Sequence, residues 1–248
     1  MKKSIFMMLI LGSLFLLLVS ACGLLQDPEE ASAPIEATPL EVATEEVEPA
    51  PTAEVVETET AETEAESAPA GIRIFTISQA DSEVRFELDE DLRGQRITVV
   101  GITDQVAGEI GVDPNDLSSA QVGVMRINAR TMMTDNSFRN RAIQNEILRT
   151  GEFEFITFTP TAIQGLPESA AAGERVSFTV EGELTIRDIT QPVTFTVEAV
   201  ADSENRISGT ATAVIQRADF NLNIPSVPNV ANVEEEVELY IDFVAVAE

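Results

Sequence analysis

The chain has 248 residues, with 43 Asp and Glu against 15 Lys and Arg, no His, no Trp and a single Cys. A net charge of −28 repels nucleic-acid phosphates and anionic lipid headgroups, so neither is an expected electrostatic partner. The commonest general base and metal ligand are missing with His, and one Cys allows no intrachain disulfide.

Residues 1–21 read as a signal peptide. Lys2 and Lys3 form a positive start, Ile5 to Val19 an apolar stretch, and Ser20 and Ala21 the small residues needed near a cleavage site. A short transmembrane anchor is the alternative reading, since the apolar stretch is only slightly below spanning length. Val19-Ser20-Ala21-Cys22 resembles the bacterial lipobox. That resemblance implies cleavage before Cys22, a lipid on its sulfur, and attachment to the cell membrane or outer membrane on the extracytoplasmic side. Acyl chains contribute about 0.8 kcal/mol per buried CH₂, enough in pairs for stable anchoring.

Residues 22–70 follow as a lipidated N-terminus and acidic tether. Asp27 to Ala70 holds fourteen acidic residues and no basic, aromatic or Gly residue, with recurrent Pro. Such a composition buries too little apolar surface to offset its ordering entropy, and predicts a disordered, extended spacer that adds nothing to the fold.

From Gly71 the pattern changes to period two, the signature of strands, and 71–248 reads as one all-β domain. Ile72 to Ile77 opens it. In Ser82 to Leu88, Val84, Phe86 and Leu88 share a face. Strands over 96–102 and 104–112 follow, then a turn at 113–116 and a strand over 119–129 with Val122, Val124 and Arg126 on one face. One helix is predicted after Asp135 or Asn136 as cap, with Phe138, Ala142, Ile143 and Ile147 as its apolar stripe. Strands resume at Phe155 to Pro160. In 175–186, Val176, Phe178, Val180, Gly182, Leu184 and Ile186 point inward. From Gln191, Val193, Phe195, Val197 and Ala199 do so, and 206–215 and 237–246 complete the set. Some nine or ten strands with one apolar face predict an antiparallel sheet closed into a barrel, with a two-sheet sandwich as the alternative.

Gly182-Glu-Leu-Thr-Ile-Arg-Asp-Ile-Thr-Gln-Pro-Val-Thr-Phe195, Ser137 to Ile143, Phe155 to Phe158, Ile215-Gln-Arg-Ala-Asp-Phe-Asn221 and Val233 to Leu239 stand in that domain. Together these stretches resemble the YceI-like family of bacterial lipocalin-like polyisoprenoid-binding domains. Asp188 and Asn221 stand where the family often has Gly, and Asp81-Ser82 where it often has His-Ser. The resemblance covers 72–246 and implies an antiparallel lipocalin-like β-barrel with one inserted helix. It also implies an isoprenoid-like lipid, such as a quinone tail or polyprenol, held by Val84, Phe86, Phe138, Ile143, Phe158, Phe178, Val180, Leu184, Phe195, Val197 and Phe220.

Other constellations have plainer readings. Asp89 to Asp91 and Asp113 to Asp116 read as solvated turns, lacking the alternating ligands and central Gly of a calcium loop, and no metal or cofactor is expected. Arg187-Asp188 and Arg217-Asp219 read as local ion pairs. No nucleophile has a His or free Cys beside it, so an enzyme is not expected. The sequence reading is therefore a membrane-anchored, non-enzymatic lipid carrier. Its rivals are a structural or interaction lipoprotein with a solid barrel, and an enzyme acting on a lipid.

Overall fold

The structure, a computed structural model, describes residues 27–40 and 71–247; the export segment with Cys22, and residues 41–70, lie outside the described residues. The strands are β1 (Arg73–Ile77), β2 (Glu83–Leu92), β3 (Gln95–Thr103), β4 (Val106–Ala107), β5 (Glu109–Asp113), β6 (Asp116–Val122) and β7 (Met125–Asn128). They continue as β8 (Phe155–Gln164), β9 (Arg175–Ile186), β10 (Ile189–Ser203), β11 (Arg206–Gln216), β12 (Val230–Ala231) and β13 (Glu236–Val246). One helix, α1 (Ser137–Arg141), runs on into a π-helical turn, Ala142–Ile147.

Several of these strands are pieces of longer runs. β1 and β2 form one run interrupted at 78–82, and β3, β4 and β5 a second interrupted at 104–105 and Gly108. β6 and β7 form a third, so that with β8, β9, β10, β11 and β13 there are eight. Each run pairs antiparallel with the next, and β13 pairs with β11 on one side and with both β1 and β2 on the other. β1 pairs with β5, and β4 with β7, which closes the ring. The fold is the antiparallel, lipocalin-like barrel with one inserted helix. Closure satisfies the backbone groups that an open edge would leave unpaired.

Local chemistry explains the joints. Arg93 and Gly94, with φ of 52° and 77°, make the two-residue turn between β2 and β3. The Asn136 side chain accepts hydrogen bonds from the Phe138 and Arg139 amides and so caps α1. Three glycines lie under aromatic rings. A Cβ on Gly101 would stand 2.2 Å from the Phe86 ring, one on Gly182 2.6 Å from that of Phe158, and one on Gly209 2.7 Å from that of Phe243. A bare backbone there lets each ring lie against the neighbouring strand.

Three expectations need correction, besides that for Asp89 to Asp91, which lie in β2 rather than in a solvated turn, Glu90 being 6% exposed and paired with Arg139 at 3.0 Å. In 119–129 the face changes phase at Gly123 and Val124, where the amide of Gly123 donates to the Glu109 carbonyl at 2.8 Å and the strand is interrupted. Beyond this bulge Met125 and Ile127 are buried, while the Arg126 guanidinium stacks outside on Phe155 at 4.1 Å. Val122, Val124 and Arg126 therefore do not form one face. Arg217 pairs with Glu235 at 2.7 Å rather than with Asp219, because the loop before β13 passes beside it.

The third correction concerns the acidic tether: residues 27–40 are not a free spacer but pack on the barrel. Ile35 is 4% exposed, and its carbonyl accepts from Gln79 Nε2 at 2.8 Å. Ser32 donates its amide and hydroxyl to Glu154 at 2.8 and 2.7 Å, and the Leu40 amide donates to Glu109 at 2.8 Å. Glu29 pairs with Arg130 at 2.8 Å, and Asp27 with Arg141 at 2.7 Å. The thirteen arginines are concentrated in the domain, and some meet the acidic segment directly. Burial alone would raise the Glu154 pKa, but the two bonds from Ser32, one from Asn128 and the charge of Arg130 outweigh it and hold the carboxyl below its ordinary value. A depressed pKa contributes stability at neutral pH that is lost as pH falls through the folded-state value. The protection factor of the Ser32 amide against hydrogen exchange is thus expected to be high at pH 7 and to fall below about pH 4.3, before the barrel unfolds.

Candidate ligand-binding site

The barrel is hollow. The inward residues of β9 and β10 are apolar and alternate with exposed Ser177, Glu183, Thr194, Thr196 and Glu198. They line two cavities stacked end to end, of about 770 and 610 Å³. Each falls within the range of about 300–1,000 Å³ typical of small-molecule sites. β9 runs along both from Val176 to Ile186. At about 3.3 Å per residue and a tilt of about 40°, the two together extend on the order of 25 Å along the barrel axis.

Phe158, Phe195 and Ile241 are common to both walls and form the waist. The Phe158 and Phe195 rings meet edge to face, with centroids 4.9 Å apart and planes at 72°. Each ring is 4% exposed. Gly182 lies beneath Phe158 and lets the ring settle on β9.

The first chamber continues from the waist past Phe178, Val180, Val197 and Phe243 to the loops around 114–117, 166–174 and 200–204. The second continues past Val84, Phe86, Leu184, Leu239 and Ile143 to α1 and the loop 222–230. Phe138 lines this second chamber while 71% exposed, and Val227 does so while 40% exposed, so the chamber opens to solvent between α1 and that loop.

Ten of the eleven sequence-predicted lining residues are therefore brought together. Phe158, Phe178, Val180, Phe195 and Val197 line the first chamber; Val84, Phe86, Phe138, Ile143 and Leu184, again with Phe158 and Phe195, line the second. Phe220 is the exception. It is 1% exposed in the 3₁₀ turn Arg217–Phe220, packed in the core and on neither wall. Its turn ends on Asn221 at φ 50°. Sequence reasoning did not name Ile241 and Phe243, although β13 alternates as clearly as β9. It also missed Met125 and Ile127, hidden by the bulge.

Few of the lining side chains are polar. Arg73, Glu174, Ser203 and Glu204 ring the outer part of the first chamber. Arg85, Glu90, Arg139, Arg217 and Tyr240 lie on the second. These cations are engaged: Arg139 with Glu90 at 3.0 Å and Asp135 at 2.6 Å, Arg85 with Asp242 at 2.6 Å, and Arg217 with Glu235 and the carbonyls of Leu222 and Glu234. A hydrogen bond to Glu238 raises the Tyr240 pKa, so the phenol stays protonated beneath the Arg85 guanidinium, 4.2 Å from its ring. The long apolar middle offers burial and almost no directional chemistry, and the chamber walls suit a slender apolar molecule with any polar end near a mouth.

Comparison with known proteins agrees with this architecture. A protein of the UPF0312 group from Vibrio vulnificus (strain YJ016) is 23% identical over 146 residues, which span 56% of this chain and 73% of the relative. A polyisoprenoid binding domain from Saccharophagus degradans, implicated in plant cell wall breakdown, superposes with a TM-score of 0.57 at 14% identity, over 70% of this chain and 98% of that one. BcnA from Burkholderia cenocepacia superposes with a TM-score of 0.54 at 20% identity, over 68% of this chain and 99% of its own. At these identities the two structures establish a shared fold. The sequence pattern of the YceI-like domain matches residues 75–245, so the chain belongs to the YceI-like domain family.

Proposed function

We propose that this protein is a non-enzymatic carrier for an isoprenoid-type lipid, tethered through a lipidated Cys22 to the cell membrane or outer membrane on its extracytoplasmic side. The observation that carries the reading is the pair of apolar chambers joined at the Phe158–Phe195 waist. A solid structural barrel would fill that space with side chains. A quinone tail or polyprenol has the slender, flexible and featureless body that such walls accept, and the similar fold of the Saccharophagus degradans domain, described as polyisoprenoid binding, supports the same class of ligand. Binding would draw on apolar burial at about 25 cal/mol per Å².

Extraction of lipid from protein purified without detergent, followed by mass spectrometry, should yield an isoprenoid-type molecule. Returned to the stripped protein at a hundredfold excess over its Kd, that lipid stabilises the barrel by about 2.7 kcal/mol, which raises the melting temperature by about 5–10 °C. If no envelope lipid is recovered and none moves the melting curve, the carrier reading fails.

Anchoring has its own test. Cys22→Ser removes the only sulfur available for lipidation. The exported variant should move from the membrane to the soluble fraction, whereas retention in the membrane would make the signal segment itself the anchor.

A further inference from the structure

Residues 27–40 cross the outside of the barrel in a fixed direction. Leu40 lies at Glu109 of β5, Ile35 at Gln79, Ser32 at Glu154, Glu29 at Arg130, and Asp27 at Arg141 of α1. The segment thus ends on the helix beside the mouth of the second chamber. Phe138 stands three residues before Arg141 on that helix, on the neighbouring helical position.

The surface there is apolar and exposed. Phe138 is 71% and Val227 40% exposed across the mouth. At the base of the helix, Met133 and Ile102 are 51% and 42% exposed and are bridged to each other. These four account for most of the large exposed apolar side chains among the described residues.

Chain length adds the second argument. From Cys22 to Asp27 is five residue steps, a reach of at most about 17 Å. A tether free as far as Gly71 would allow on the order of 150 Å. Docking of 27–40 therefore shortens the working tether roughly tenfold and fixes which end of the barrel lies near the anchor.

We infer that the docked segment holds the helix-side mouth against the bilayer, with Phe138, Val227 and Met133 seated in the lipid surface, so that a lipid enters the second chamber directly from the membrane. This rests on the reading of Cys22 as the lipid anchor. The rim makes its contact through apolar side chains, which suits a neutral or zwitterionic lipid surface and needs no attraction to anionic headgroups.

The chain has no Trp, so one introduced Trp reports alone. Mature protein purified from membranes would be placed in phosphatidylcholine vesicles brominated on their acyl chains, carrying either Phe138→Trp or Ala171→Trp. Ala171 is exposed at the opposite mouth. The expected result is several-fold stronger quenching of Trp at 138 than at 171. Adding Ile35→Asp should abolish that difference while the protein still floats with the vesicles. The double change Asp27→Arg, Glu29→Arg should do the same without altering any buried side chain. Equal quenching at the two ends in floating protein would overturn the inference alone, as would a difference that survives both strap variants. Protein that fails to float and carries no lipid on Cys22 would overturn the anchor reading and this inference together.

Discussion

Phe195→Ala is expected to cost the barrel about 3–5 kcal/mol and to lower its melting temperature by on the order of 10 °C. Phe195 lines both chambers, yet its ring is 4% exposed and packs edge to face on Phe158 at the waist. Most of its contacts are thus with protein, and their loss leaves a void continuous with both chambers. Phe178 is a useful contrast. It is only half-buried and faces the first chamber beyond the waist. Phe178→Ala should cost clearly less in lipid-free protein, and weaken lipid binding instead. Thermal melts of both variants with and without bound lipid check this. Equal penalties in the stripped protein would mean that the first chamber collapses around Phe178.

Gly182→Ala makes the opposite kind of error at the same place. The new methyl would stand 2.5 Å from the Thr159 carbonyl oxygen and 2.6 Å from the Phe158 ring. The carbonyl belongs to β8, paired with β9, and cannot retreat without opening the ladder. The ring can move only into the waist. Overpacking of this kind costs about 1–3 kcal/mol, or about 2–12 °C in melting temperature. Because the displaced ring narrows the passage, the stabilisation by added lipid should shrink as well. A variant with wild-type melting and wild-type lipid response would show that Phe158 has room to spare.

Much of this site was legible from the residues. The alternation of Val176, Phe178, Val180, Gly182, Leu184 and Ile186 dictates one wall, since a strand turns successive side chains to opposite faces. The same rule places Val193 to Ala199 on the adjacent strand, and both runs line the chambers as expected. The helix cap at Asn136 follows from a short polar side chain that satisfies the first amides. Where alternation breaks, the reading breaks with it. The bulge at Gly123 and Val124 moves Met125 and Ile127 inward, and one inserted residue is invisible to a period-two pattern. Phe220 has the composition of a lining residue and is core, because the turn before Asn221, rather than a strand, decides where it points.

While its period left barrel and sandwich open, sequence by itself determined which faces are apolar and which side chains share them. These are local properties of residue order, fixed by the two-residue repeat of a strand. Whether those side chains fill the barrel or leave two chambers is a matter of the volume enclosed by the closed ring, and depends on how rings such as Phe158 and Phe195 settle on distant strands. The docking of residues 27–40 is likewise tertiary. Composition gives that segment no reason to order alone, but Ser32 meets Glu154 across 122 residues and Leu40 meets Glu109 across 69. Only the folded barrel brings Gln79, Glu109, Arg130, Arg141 and Glu154 into one track, and that track offsets the entropy that the acidic segment loses by lying along it.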